Sequence, residues 1–207
     1  MYFINKKETL QKSTGIHLSV GIDYSISSPA ATFLFFKDGK QLSEMTKHFF
    51  LTTQKSVKEK ASNYDFFDCQ FVKSEFESKK ETDKFTFLAD LFVTEINKQL
   101  CFADTYTIII EGFSYGSKGM LFNIAGNTNI LFERLKKQNL KFQTESPSYI
   151  KKLSTGKGNA DKMLMYEFYR SKTGINLEKI FDKKADKNPI SDIADSYHIA
   201  NLNHNGE

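Results

Sequence analysis

The sequence predicts an α/β protein with a mixed central sheet, whose first three strands are antiparallel and whose later strands are parallel, flanked by helices. The first part of the chain holds three β-rich segments separated by short turns, which is typical of an antiparallel meander. The later part alternates helical periodicity with short apolar runs, which is typical of crossovers between parallel strands. At 207 residues and 40% hydrophobic, we expect a single domain spanning residues 1–207.

The first three strands follow one another closely. Residues 16–22 (IHLSVGI) alternate and are rich in β-branched side chains, and this run ends at a carboxylate, Asp23. Small residues at 24–30 predict a turn into a second strand over 31–36, and a third strand is expected over 48–53.

A mixed segment and a helix come next. Residues 55–80 are rich in Lys and Ser around an aromatic patch, and they fit either a further edge strand or a long surface loop. Apolar residues recur three and four apart over 85–96, which predicts a helix with Thr82 as its N-cap.

The most informative strand is the one that follows. Four β-branched residues over 107–110 predict a strand covered on both faces, and Glu111 comes directly after them. A carboxylate there is costly unless positive charge meets it. Open α/β sheets bind ligands just outside the carboxyl ends of such strands, so Glu111 is the first candidate functional residue.

Beyond this strand the pattern predicts a helix over 121–137 and a short parallel strand over 140–144. A helix-capping residue followed by proline occurs twice in the rest of the chain. These and related signals predict helices that begin at Ser146-Pro147, after Asn159 and at Asn188-Pro189, and that extend through Leu153, Lys172 and about Leu202.

The net charge of +4 is unevenly distributed. Residues 146–187 contain ten Lys or Arg and five Asp or Glu, whereas residues 188–207 carry a charge of −3. A basic segment beside an acidic one fits a polyanion-binding surface next to a metal site, and it also fits ordinary solvated helix surface.

The cysteines and the apolar runs indicate the cellular compartment of the protein. Cys69 and Cys101 lie far apart without metal-type spacing, which favours a reducing compartment. The first residues have no apolar stretch of signal-peptide length, and no run approaches a membrane span. We therefore expect a soluble, cytoplasmic protein without a membrane partner.

Two further acids belong to the last helix. Asp192 and Asp195 are three residues apart and so share one helix face. If that helix packs over the carboxyl end of the sheet, four acids converge: Asp23, Glu111, Asp192 and Asp195. Asp23 alone could be a turn residue, and Asp192 alone could serve the helix dipole, so the prediction depends on the set.

Four carboxylates cannot share a small volume as bare anions, because like charges raise their pKa values. Divalent cations remove this conflict, and oxygen ligands suit Mg²⁺, for which Mn²⁺ can substitute. Two such ions about 3.5–4 Å apart can activate a water and stabilise the leaving oxygen of a phosphodiester, which is nuclease chemistry. The sequence has no His or Cys cluster for zinc, and we expect His198 and His204 to be surface or packing residues.

With these residues identified, the chain resembles the RuvC family of Holliday-junction resolvases, in the ribonuclease H-like superfamily. Gly21-Ile22-Asp23 resembles the family's first-strand motif, and Ile110-Glu111 resembles its second, which precedes a loop with an aromatic residue. A Lys-rich helix end, a glycine turn over 155–158 and the Asp192/Asp195 helix follow in the family's order.

The resemblance implies a ribonuclease H-like fold and a homodimer acting on branched DNA, the four-way junction, without a small-molecule cofactor. It implies that the four acids are catalytic and bind two Mg²⁺ ions. Lysines would contact phosphates, and a loop aromatic would stack on a base and open the junction, although ordinary loop packing also explains the aromatics. These candidate DNA-binding residues are Phe113, Tyr115, Lys118, Lys151, Lys152, Lys157 and Lys162.

The chain also departs from the family pattern. The spacing between Asp23 and Glu111 is longer than usual, which makes residues 55–80 an insertion or a remodelled edge. The aromatics lie at an unusual offset from Glu111, so junction preference stays open. A phage-encoded or divergent member that cuts branched DNA more broadly fits these features, and its compartment would be a bacterial or phage-infected cell.

Three other functions share some of these sequence features. A ribonuclease H-like nuclease could act on structured RNA or an RNA–DNA hybrid, and a catalytically inactive junction-binding protein could keep the same residues. An actin-like ATP-binding protein is disfavoured, because residues 24–30 contain no glycine turn to cradle a phosphate.

Overall fold

The structure, a computed structural model, describes the backbone of residues 14–112 and 121–204 and the side chains of residues 14–112 and 123–203. Within these ranges the strands form a seven-stranded sheet in the order β5-β4-β2-β1-β6-β7, with β3 paired to β2. The strands are β1 (Ile16–Asp23), β2 (Ala30–Lys37), β3 (Lys40–Gln41), β4 (Lys47–Thr52), β5 (Phe67–Phe71), β6 (Thr105–Glu111) and β7 (Gln143–Glu145).

Helices cover both faces of the sheet. None of those described is long and apolar enough to cross a membrane. The helices are α1 (Lys55–Ala61), α2 (Lys73–Ser78), α3 (Glu81–Leu100), α4 (Leu121–Lys137), α5 (Pro147–Thr155), α6 (Lys162–Thr173), α7 (Leu177–Phe181) and α8 (Ile190–Ala200), with 3₁₀ turns at Ser43–Met45 and Leu202–His204.

Strand directions confirm the predicted mixed sheet. β1 pairs antiparallel with β2, and β2 pairs antiparallel with β4. β1 with β6, β6 with β7 and β4 with β5 are parallel pairs. Hairpin-length turns join the antiparallel strands, whereas helices α3 and α4 form the crossovers to β6 and β7, as parallel neighbours require.

The two faces of the sheet have different cores. Leu18, Val20 and Ile22 of β1 point to the face covered by α3 and α4, in a cluster of buried aliphatic and aromatic side chains. Because side chains alternate along a strand, Ser19 and Gly21 point to the opposite face, where α8 lies. This second face holds the elements that carry the candidate site.

Three predicted helix caps are wrong, and two of them belong to α3 and α6. α3 begins one residue before Thr82, and Lys80 is its N-cap with no side-chain capping bond, so Thr82 is already inside the helix. α6 begins after Asp161, whose side chain accepts a hydrogen bond from Leu164 N at 2.8 Å, so Asp161 rather than Asn159 is the cap. Both true caps lie within two residues of the predicted ones, the usual uncertainty at helix ends.

Other predicted ends of strands and helices differ from the structure by a few residues, and one predicted cap agrees with it. The strand expected over 140–144 lies at Gln143–Glu145, and the last helix ends at Ala200 rather than about Leu202. Pro189 occupies the N-cap position of α8 instead of its first helical position. The Ser146 cap is confirmed, because its side chain accepts from Tyr149 N at 3.3 Å.

Residues 55–80 combine an edge strand with irregular and helical surface segments. They contain the short helices α1 and α2 with β5 between them, and β5 is an edge strand parallel to β4. Val57 and Ala61 of α1 are buried with Phe67 and Cys69 of β5. The alternation of apolar residues is too short here for the sequence alone to distinguish a strand from a loop.

Candidate active site

Two acids emerge side by side at one end of the sheet. β1 and β6 are parallel and Ile22 is paired with Ile110, so the residues that follow, Asp23 and Glu111, end neighbouring strands at the same edge. Ile108 and Ile110 point into the α3/α4 core. Because successive side chains of a strand point to opposite faces, Glu111 faces α8, as Asp23 does.

α8 crosses β1 at unusually short range. A Cβ added to Gly21 would overlap the backbone of Ser196 and Ala200, so only glycine permits this approach. The Gly-Ile-Asp motif therefore has a packing function. Gly21 lets α8 lie against β1, and this packing places Asp192 and Asp195 beside Asp23.

Hydrogen bonds hold α8 against the sheet. Ser19 Oγ donates to Ala200 O at 2.5 Å, and Thr32 Oγ1 lies 2.8 Å from Ser196 Oγ. Thr32 is also 2.8 Å from His48 Nδ1.

This network reaches α6. Tyr169 Oη lies 3.3 Å from His48 Nε2. Burial lowers the pKa of His48 to about 3, so the ring is neutral at ordinary pH. We call Ser196, Thr32, His48 and Tyr169 the buried polar chain; it links α8, β2, β4 and α6.

The four acids share one electrostatic environment. Burial raises the pKa of Asp23 well above its ordinary value, and the charges of Glu111, Asp192 and Asp195 raise it further. The structure thus brings together all four acids that the sequence analysis singled out. Their proximity supports the expected site, while their chemical roles stay predictions.

The two acids of α8 are also perturbed. Burial, and next the charges of Glu111 and Asp192, raise the pKa of Asp195 to about 7. Burial raises the pKa of Asp192 to about 6, against the effect of hydrogen bonds from Ser28 and Ser191. Ser191 Oγ lies 3.3 Å from Asp192 Oδ1.

Two of the predicted lysines lie at the acids. Burial raises the pKa of Glu111, and the charge of Lys151 on α5 opposes this rise. Lys162, at the start of α6, lowers the pKa of Asp23 and of both α8 acids, and its Nζ is 3.3 Å from Ser191 Oγ. These two amines supply the positive charge that the buried carboxylates require.

The remaining predicted lysines are farther out. Lys152 and Lys157 are exposed around the end of α5, and neither has an ion pair with the acids among the described residues. The other candidate DNA-binding residues lie outside the described residues; they are Phe113, Tyr115 and Lys118.

The prediction for His198 is confirmed. Its Nε2 lies 2.8 Å from Met165 O, and burial lowers its pKa to about 4, so it is a neutral packing residue between α8 and α6. The side chain of His204 lies outside the described residues.

Sequence reasoning missed the polar residues around Asp192. With its amide oriented so that both atoms are satisfied, Asn188 donates to Asp192 Oδ2 at 3.2 Å and to Oδ1 at 3.3 Å, and it accepts from Ser28. The sequence pattern predicts only a helix cap at Asn188 and a turn at Ser28. The sequence did offer one signal: Asn188 comes just before the first turn of α8, which contains Asp192.

The donor chemistry of the site fits Mg²⁺ or Mn²⁺, since its four candidate ligands are all carboxylates. Within the described residues, however, no three His, Cys, Asp or Glu side chains lie together in an arrangement that could hold a metal ion. A Mg²⁺ ion, whose ligands lie at ~2.0–2.1 Å, would need these carboxylates closer together.

Sequence comparisons assign no family. No protein-family model matches the chain, and the comparison with curated proteins finds no match.

Solved structures do share its architecture. A Thermus thermophilus RuvC structure matches with a TM-score of 0.50 and 12% identity, over 89% of this chain and 92% of RuvC. T. thermophilus RuvC in complex with Holliday junction substrate matches with a TM-score of 0.54 and 13% identity, over 89% and 90% of the two chains. The protein therefore has the ribonuclease H-like fold of RuvC.

Proposed function

We propose that the protein is a metal-dependent endonuclease that cleaves branched DNA and resolves four-way junctions by paired nicks. The observation that carries the proposal is the convergence of four acids from β1, β6 and α8 at one edge of the sheet. The fold supports it, because T. thermophilus RuvC has this fold and was solved with a Holliday junction substrate.

Asp23, Glu111, Asp192 and Asp195 would hold the cations. A bound pair of Mg²⁺ or Mn²⁺ ions supplies Lewis-acid activation of water and stabilisation of the leaving oxygen. Two of these acids lie at strand ends and two lie on one face of α8, which hydrogen bonds hold against the sheet.

The raised pKa values give the acids a second property. Without cations, Asp195, with a pKa of about 7, holds a proton for part of the time at neutral pH. Ligand carboxylates must be deprotonated, so cation binding releases protons and strengthens as pH rises. Lys151 and Lys162 offset part of the remaining negative charge and so permit an anionic phosphate to approach.

Lysines around the acids would bind the DNA backbone. Lys151 and Lys162 lie at the acids, and the exposed Lys152 and Lys157 extend the positive surface along α5. Binding through lysines is electrostatic and weakens with salt. In this proposal Phe113 or Tyr115 stacks on a base and Lys118 contacts a phosphate. A homodimer in a bacterial or phage-infected cell presents two sites to two strands.

The decisive experiment incubates a labelled four-way junction with and without Mg²⁺ and maps the cuts. We expect symmetric nicks in two opposing strands only when Mg²⁺ is present. Asp23→Asn and Glu111→Gln should each lower cleavage by roughly 10³-fold or more while junction binding survives, because each removes a ligand charge but no phosphate-binding lysine.

Asp38→Asn is the matched control. Asp38 lies in the β2–β3 turn at the opposite end of the sheet with φ of 50°, a conformation that asparagine tolerates. This variant should cut like the unaltered protein. Full activity of Asp23→Asn would refute the proposed site.

Two other outcomes would redirect the proposal. Cleavage of an RNA–DNA hybrid duplex in preference to the junction would assign a ribonuclease activity to the same acids. Tight junction binding with no cleavage in Mg²⁺ or Mn²⁺, and no Mn²⁺ bound in a titration, would identify an inactive junction-binding protein.

A further inference from the structure

A lysine-rich groove opens beside the acids, between the segment after β4 and the linker from α7 to α8. The groove is open to solvent and has a volume of about 440 Å³. No lysine of this groove belongs to the set that the sequence analysis singled out. We call it the Lys183 groove, and it is lined by Gln54, Lys183, Lys184, Asp186, Lys187 and Asn188.

The groove carries uncompensated positive charge. Lys187 is paired with Asp186 at 2.9 Å, and the charge of Lys184 also acts on Asp186, so three lysines share one carboxylate in the groove. Lys183 Nζ donates to Gln54 Oε1 at 2.8 Å and to Asn188 O at 2.9 Å, and both acceptors are neutral. Lys184 is exposed and forms no ion pair within the described chain.

Lys183 is held in place before any ligand binds. Its two hydrogen bonds fix the ammonium between the β4 side and the linker, and partial burial together with the charge of Lys60 lowers its pKa. An ammonium whose two hydrogen bonds go to neutral groups gains a stronger, charge-assisted bond when an anion binds beside it. Because these hydrogen bonds already restrict the Lys183 side chain, less conformational entropy is lost when an anion binds, and this favours binding.

One residue, Asn188, joins the groove to the acids. Asn188 lines it and also contacts Asp192 and Ser28. A smaller cavity of about 180 Å³, lined in part by Ser27 and Ser28, adjoins it and shares both Gln54 and Asn188. Asn188 therefore contacts Asp192 through its side chain and Lys183 through its backbone carbonyl.

We propose that the Lys183 groove binds the sugar–phosphate backbone of the nucleic acid strand on one side of the phosphate that is cut. This inference rests on the proposed function, because it takes the acids as the place of the reacting phosphodiester. A phosphate is preferred to an acidic peptide because the lining residues of the groove are all polar or charged and one of them, Asn188, contacts Asp192.

The test measures junction binding in EDTA, where no cleavage occurs, as a function of salt. Lys183→Gln together with Lys184→Gln should weaken binding several-fold or more. It should also lower the slope of log K against log salt by about 1 for each phosphate that the variant no longer binds. Lys183→Arg, which keeps the charge, should restore most of the affinity, whereas a purely structural role of the lysine would not predict this rescue.

The control is a double substitution of equal charge at a distant place. Lys37→Gln with Lys40→Gln changes two exposed lysines of the β2–β3 hairpin, at the opposite end of the sheet from Asp23. It should leave both affinity and salt slope unchanged. Thermal unfolding of every variant, compared with the unaltered protein, separates weaker DNA binding from impaired folding.

A second measurement locates the bound phosphates. Methylphosphonate groups, which carry no charge, replace single phosphates along a junction strand next to the mapped cut. The unaltered protein should lose affinity at phosphates on one side of the cut, and the double lysine variant should be insensitive at those same positions.

The outcomes separate this inference from the proposed function. Equal affinity, salt slope and methylphosphonate profile in the unaltered and variant proteins would overturn the groove assignment, while junction cleavage would still stand. Lysine-dependent binding without any cleavage would refute the nuclease alone. If polyglutamate binding depends on these lysines and DNA binding does not, the groove is a protein-docking site and the inference fails.

Discussion

The two faces of β1 are packed by different means. On one face Leu18, Val20 and Ile22 contribute to an apolar core with α3 and α4. On the other, Ser19 and Gly21 let the backbone of α8 come close and hydrogen-bond to the strand.

This difference separates stability from positioning. Apolar burial is non-directional, so the α3/α4 face can adjust to a change of shape and still stabilise the fold. Close backbone packing and hydrogen bonds are directional, so the α8 face fixes where Asp192 and Asp195 lie relative to Asp23. Equal decreases of stability on the two faces should therefore have unequal effects on the site.

The largest effect is expected from Gly21→Ala. The added methyl group overlaps the backbone of Ser196 and Ala200, which cannot move independently of α8. We expect a decrease of about 1–3 kcal/mol or more in the free energy of unfolding, and junction cleavage lowered by roughly 10²-fold or more. Denaturant unfolding and cleavage assays measure the two quantities.

Val20→Ala provides the comparison on the other face. It removes two methyl groups from the α3/α4 core, and we expect about 1–3 kcal/mol of destabilisation. Cleavage below the unfolding temperature should change little. If Val20→Ala reduces cleavage as much as Gly21→Ala does, the two faces do not have separate functions.

A smaller effect is expected from breaking the buried polar chain. Thr32→Val keeps the shape of the side chain but removes the hydrogen-bond partner of His48 Nδ1 and one of the two bonds of Ser196 Oγ, which keeps its bond to Ile193 O. An unsatisfied buried group costs about 1–3 kcal/mol, and a freer α8 should lower cleavage by about tenfold. Rates at saturating and limiting junction concentration distinguish this defect from weakened binding.

Phe33→Leu is the matched change on the α3/α4 face of β2, since Phe33 belongs to that core. Even if Phe33→Leu destabilises the protein as much as Thr32→Val does, it should cleave the junction like the unaltered protein. A Thr32→Val variant with normal cleavage would show that the hydrogen bonds of this chain do not position α8.

The smallest effect concerns pH. The pKa of Asp195 is raised to about 7 in the folded protein from an ordinary value of 3.8, so folding retains a proton that the unfolded chain releases between these values. The stability of the metal-free protein therefore falls as pH rises from about 4 to 7, through this group. The Asp195→Asn variant lacks this loss of stability. The melting temperature of the variant minus that of the unaltered protein should therefore rise by a few degrees between about pH 4 and 7.

The difference in melting temperature between the variant and the unaltered protein must be measured, because the titration of His48 changes stability with pH in the opposite direction. Its pKa is lowered to about 3 from 6.5, so its contribution to stability is lost as pH falls below about 6.5. Both proteins share this effect and it cancels. A melting difference that is constant with pH would contradict the raised pKa of Asp195.

The parts of the site that lie at strand ends could be predicted from the sequence. A run of β-branched residues that stops at Glu111, and an alternating run that stops at Asp23, are local signals, and the parallel pairing of their strands follows from general rules. The spacing of Asp192 and Asp195 is equally local.

The parts that depend on interactions between distant segments could not be predicted. Thr32 is an unremarkable strand residue until α8 brings Ser196 to it, and Lys183 is one of many lysines until Gln54 and Asn188 hold its ammonium. Hydrophobic periodicity indicates which face of an element is buried. It does not indicate which polar groups meet across the core.

The hydrogen bond between Ser19 and Ala200 joins positions 181 residues apart. Such long-range interactions form late in folding, because a long loop must close before they can stabilise the chain. A growing chain therefore carries Asp23 and Glu111 without a complete acid site until Asp192 and Asp195 have been made. The order of the elements along the chain delays assembly of the site until α8 has docked on a finished sheet.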